Sequence, residues 1–184
     1  MIKAMLERYR PDCEQELQDR RMMLQYASVF GDILNRSNET AHLTSSAWIV
    51  NPDRSRVLMV HHNIYNSWSW VGGHADGNPD LLAVALKEAQ EETGVSNIRP
   101  LSVDIFSLEI LTVAAHFKRG QYVVPHLHLN ATFLLEADDH QSLRSKQDEN
   151  SAVGWFGLDE AVAVSSEPAM QVIYRKLNDK LRRL

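Results

Sequence analysis

The segment running from Gly72 to Val95, GGHADGNPDLLAVALKEAQEETGV, constrains this chain more than any other. Pro79 to Thr93 is expected to be helical. Asn78 is placed to cap it, Pro79 suits a first helical position where its missing N–H costs nothing, and Gly94 is a natural stop. On such a helix Leu82, Leu86, Ala89 and Thr93 line one face and are expected to enter the core. Glu88, Glu91 and Glu92 fall three and four residues apart on another face and are neighbours. Three carboxylates so close repel one another unless a cation sits among them, and hard oxygen donors suit magnesium or manganese. An isolated pattern of this kind is usually a solvated helix face. Here a Gly-Gly loop in front and a terminating glycine behind frame it, and the Gly-Gly turn lets backbone approach the same place.

That framing resembles the signature of the Nudix (MutT-like) hydrolase family. The signature runs glycine, five residues, glutamate, seven residues, arginine-glutamate, an apolar residue, any residue, two glutamates, any residue, glycine and an apolar residue. Counted from Gly73, the run Lys87-Glu88-Ala89-Gln90-Glu91-Glu92-Thr93-Gly94-Val95 is in register. A match of this length is far more specific than a lone glycine motif. Two positions depart from it: the first glutamate falls on Pro79 and the arginine on Lys87. Asp76 or Asp80 is expected to replace the lost carboxylate, paired with Lys87.

The resemblance implies an α/β fold, a Nudix-type α/β/α sandwich with a mixed sheet. It covers residue 42 onward, so the chain divides into an N-terminal helical extension (1–40) and a hydrolase domain (41–184). It implies attack of water on phosphorus in a nucleoside diphosphate linked to another group, with Mg²⁺ or Mn²⁺ as cofactor. Metal ligation then falls to Glu88, Glu91 and Glu92, with the Gly72 carbonyl as a further ligand. Glu88 or Glu92 is a candidate base. Some members use a distant loop glutamate, and Glu149, just before the last-strand pattern Val153-Gly154-Trp155-Phe156, is the candidate here. His74, in the loop beside the expected metal, is a candidate substrate contact.

The rest of the chain fits this frame. Residues 12 to 36 carry Leu17, Met23, Leu24, Tyr26, Ala27, Phe30 and Leu34 at helical spacing, and this broad apolar stripe is expected to pack on the domain or on a second subunit, making a homodimer. Thr44–Val50 and Arg56–Val60, separated by Asn51-Pro52-Asp53, read as a hairpin. Trp68–Val71, Val103–Ala114, Tyr122–Leu135 and Val153–Phe156 read as further strands, and Leu158–Val164 and Pro168–Leu184 as helices. His126 and His128 alternate along one strand and so face the same side. They are possible joint ligands or phosphate contacts, against the plainer reading of a polar strand face. Trp48, Tyr65, Trp68 and Trp70 could stack on a base, Trp70 lying nearest the box.

Other classes are disfavoured. A formal net charge of −5 argues against a domain that binds by neutralising a nucleic acid backbone. The longest clean apolar run, Leu81–Leu86, is far short of a membrane span. One cysteine, Cys13, cannot form an internal disulfide, and the charged N-terminus carries no leader pattern, so a cytoplasmic protein is expected. Two rivals share the fold. Isopentenyl-diphosphate isomerases have a histidine-rich metal site, faintly matched by His42 and His74, but rely on a cysteine where this chain has Trp70-Val71-Gly72-Gly73. A non-catalytic nucleotide-binding module accounts for Pro79, but not for retention of all three helix glutamates.

Overall fold

Strand β1 (Ala41–Val50) is buried at all ten positions because it has a partner on each edge and cover on each face. The computed structural model describes every residue except Arg119 and the side chain of Lys118. Along one edge, β1 pairs in parallel with β9 (His126–Ala137) over its whole length, from Ala41↔Leu127 to Val50↔Glu136. The other edge is shared. The end of β1 forms the expected hairpin with β2 (Arg56–His62), and its beginning pairs antiparallel with β4 (Val71–His74), Thr44 opposite His74 and Ser46 opposite Gly72. Strand β3 (Ser67–Ser69) and β10 (Asn150–Gly157) flank β2, while β5 (Ile98–Pro100) and β6 (Ser107–Val113) pair with β9. Strands β7 (His116–Lys118) and β8 (Gln121–Val123) form a separate ribbon.

Alternation along β1 feeds two cores, one per face. Leu43, Ala47 and Ile49 enter the first; Trp48 and Val50 enter the second. Helix α3 (Leu81–Thr93) covers the first core, while α4 (Leu158–Ala163) and α5 (Pro168–Leu181) cover the second with Ala161, Tyr174 and Leu177. The result is the α/β/α sandwich on a mixed sheet that the sequence implies.

Several local expectations change. Helix α3 starts two residues later than expected, because Asp80, not Asn78, caps it by accepting from the Ala83 N–H at 3.0 Å. Asn78 instead accepts from the Asp80 N–H, and Pro79 stays outside the helix. The buried face of α3 is centred on Leu81, Ala85 and Ala89, leaving Leu82 and Leu86 only partly covered. Gly94 ends the helix as expected, with φ of 73°, a left-handed conformation that favours glycine. The run around Trp70 splits into β3 and β4 because the two pair with different strands, and the Trp70 N–H goes to the Tyr174 hydroxyl. The 122–135 run splits at Pro125 between β8 and β9, where proline has no N–H for a ladder.

The N-terminal region forms two helices, α1 (Ile2–Arg8) and α2 (Glu14–Val29), the second ending seven residues before the expected Arg36. Ile2, Leu6, Tyr9 and Met23 join the first core. The apolar stripe packs on the domain through Met23, with Leu24, Tyr26, Ala27 and Leu34 against the same core, but its edges do not: Leu17 is 45% exposed while Glu16, outside the stripe, is fully buried. Among the described residues, no helix is long and apolar enough to cross a membrane.

Candidate active site

Glu92 sits in the last turn of α3 and points back to the loop strand. Its carboxylate is buried, accepting from the Gly72 N–H at 3.1 Å and from the Asn150 side-chain amide at 2.7 Å. Burial, helped by the charges of Glu88 and Glu149, pushes its carboxyl up to about 7 against the pull of those two bonds. A carboxylate held in place yet short of positive charge fits a divalent cation, which would favour its ionised form.

Glu88 lies one turn earlier, against Gly73. A methyl group on Gly73 would come within 2.5 Å of the Glu88 carboxyl carbon, so only glycine lets the strand and the carboxylate approach this closely. Gly72 faces the other way, its hydrogen directed at Ser46. Glu91 is the most exposed of the three. The Lys87 ammonium bridges it to Glu88, at 3.1 and 3.3 Å, and Lys146 links Glu91, at 3.8 Å, to Glu149, at 3.0 Å. Four carboxylates from α3 and the loop before β10 thus share a region with two ammonium groups. The oxygen donors of Glu88, Glu91, Glu92 and Glu149 suit Mg²⁺ or Mn²⁺.

The expected partner for Lys87 is corrected. Asp76 pairs bidentately with Arg36, at 2.7 Å for each contact, and Asp80 is engaged as the helix cap, so Lys87 turns to its own helix's glutamates. Trp70 is also corrected. Its buried ring packs edge-on to Tyr174 in the second core, with centroids 5.7 Å apart, and offers no open face for stacking. His74, His126 and His128 are brought together with His42 on the sheet face opposite Glu88, with ring centroids about 5 Å apart. A groove of about 1350 Å³ between α1, the start of α3 and the 101–106 segment includes none of these histidines or glutamates.

Two contributors escape a reading of the sequence alone. Asn150 reaches Glu92 across 58 residues, and Lys146 joins two acids on separate elements. A polar residue flanking Glu149 in the loop was the only signal for Asn150.

A model of the NUDIX domain family matches residues 40–178. The asymmetrical bis(5'-nucleosyl)-tetraphosphatase of Rattus norvegicus is 30% identical over 112 residues, covering 61% of this chain and 67% of the rat protein. In structure, the chain is similar to the MutT protein of Methanosarcina mazei (TM-score 0.57, 16% identity, 78% of this chain and 96% of that one). It is also similar to the C. elegans Ap4A hydrolase binary complex (TM-score 0.54, 15% identity, 77% and 98%). With the glycine-framed glutamate helix in register and three-quarters of its length matched, the chain belongs to the NUDIX domain family, as a Nudix pyrophosphohydrolase.

Proposed function

We propose that this enzyme uses Mg²⁺ or Mn²⁺ to hydrolyse a pyrophosphate bond in a nucleoside diphosphate linked to another group. Dinucleoside polyphosphates, the substrates named for its rat relative, are the first class to test. The observation that carries the reading is Glu92: buried, oriented by Gly72 and Asn150, and raised in pKa beside two further acids. Glu88, Glu91 and Glu92 would hold the cation, with the Gly72 carbonyl as a further donor. Once bound, the cation would neutralise phosphate charge and make water a better nucleophile.

The chain's own groups supply the rest. Gly72 and Asn150 fix the Glu92 carboxylate, so little reorganisation is needed when the substrate arrives. Lys87 must release Glu88 and Glu91 for them to act as ligands, and its exposed position makes that release cheap. Glu149, on a loop and loosely held by Lys146, is the candidate to accept a proton from water.

A panel of pyrophosphate-containing nucleotides, incubated with Mg²⁺ or Mn²⁺ beside a Glu92→Gln variant, tests this reading. Metal-dependent turnover that the folded variant loses supports it. Turnover by Glu92→Gln at the wild-type rate would sink it.

A further inference from the structure

We propose that His42, His74 and His128 form a second cation site, for a borderline transition ion such as Zn²⁺, on the sheet face opposite the glutamate helix. One ligand atom from each lies within 4.8 Å of the others. The grouping follows from register. His42 and His128 are partners on adjacent parallel strands, and His74 lies opposite Thr44, two residues along β1 on the same face. Gly73, between the two candidate sites, points the other way, toward Glu88.

His42 gives the sharpest indication of a ligand. Its Nδ1 lies 3.0 Å from the Asn38 carbonyl, which can only accept, so Nδ1 carries the proton and Nε2 keeps a lone pair. That Nε2 is buried and has no hydrogen-bond partner among the described residues. An unpaired buried acceptor is costly, and a metal ion is one partner that would satisfy it. A backbone carbonyl holding the far nitrogen is also the usual support of a metal-binding histidine.

The surroundings agree. His126, anchored by Nδ1 on the Val124 carbonyl at 2.8 Å, sets its Nε2 3.2 Å from Nε2 of His128 and positions that ring. Neutral imidazole is the form that ligates, and the three rings come from adjacent strands of one sheet face. Three imidazoles with a coordination position open match zinc, copper or nickel better than the hard ions suited to carboxylates.

The inference stands independently of the glutamate site, and its test keeps the two apart. Chelator-treated full-length protein is titrated with Co²⁺ and Zn²⁺, following the visible Co²⁺ spectrum, metal stoichiometry and thermal midpoint. Wild type should bind one tight equivalent with a nitrogen-ligand spectrum. His42→Gln and His128→Gln should weaken it at least about 100-fold, while Glu92→Gln and His140→Gln leave it unchanged. Absence of a tight equivalent in wild type overturns the proposal even if a histidine variant fails to fold. So does binding that survives His42→Gln, or that is lost in Glu92→Gln.

Discussion

Replacing Glu16 by glutamine should cost about 3 kcal/mol near neutral pH, and that cost should shrink in acid. Glu16 docks α2 from a fully buried position. Its carboxylate accepts from the Asp12 N–H at 2.8 Å, Ser107 Oγ at 2.8 Å and Lys180 Nζ at 2.9 Å, with Lys176 at 3.2 Å. Burial alone would raise its carboxyl; the Asp12 N–H, the Tyr9 hydroxyl and the two lysines outweigh it and bring the value from 4.5 to about 2. At about 1.4 kcal/mol per unit, that depression corresponds to about 3 kcal/mol. The folded value lies below the unfolded one. The contribution is therefore complete above about 4.5 and lost as the pH falls toward 2. Urea unfolding of wild type and Glu16→Gln at pH 7, 5, 3.5 and 2.5 measures it. Wild type should be more stable by about 3 kcal/mol at pH 7, with the gap closing between pH 4.5 and 2.5. A gap that is small at pH 7, or that does not narrow in acid, refutes the reasoning. Against a typical domain stability of about 5–15 kcal/mol, this one contact would decide whether the N-terminal helices stay docked.

Four further outcomes follow from the loop strand, its helix and the residues that hold them. Gly73→Ala should leave the thermal midpoint nearly unchanged yet lower kcat/KM by about 100-fold or more, because the added methyl meets the movable end of Glu88. Gly72→Ala should instead cost about 1–3 kcal/mol in denaturant unfolding, because its methyl would meet the Ser45 carbonyl at 2.8 Å and the Ser46 backbone at 3.0 Å. Asn150→Ala removes the 2.7 Å bond to Glu92; hydrolysis should fall about tenfold or more, with the metal needed for half-maximal activity shifted measurably. Asp80→Ala should destabilise the protein by about 1 kcal/mol through loss of the α3 cap, while Asn78→Ala should cost less.

The sequence by itself determined what is local or strictly periodic. Glu88, Glu91 and Glu92 share a helix side because 3.6 residues make a turn; Gly94 ends that helix because its left-handed φ favours glycine. The hairpin of β1 and β2 was legible from its turn, and the family resemblance supplied the sandwich around it. Boundaries shifted where neighbouring side chains take up different backbone groups: Asn78 accepts from the Asp80 N–H, and Asp80, accepting from the Ala83 N–H, caps α3. Tertiary structure alone decided which distant residues meet. Nothing in the spacing of residues 42, 74 and 128 shows that β1 and β9 run parallel in a register that makes His42 and His128 neighbours. Nor does helical periodicity show that α2 buries Glu16 and exposes Leu17, since the two lysines that make this burial favourable stand 160 and 164 residues away on α5. Trp70 is buried for the same reason: the aromatic residue beside it, Tyr174, comes from the far end of the chain. Periodicity fixes which residues share a face, but what that face meets depends on pairings between segments far apart in the chain.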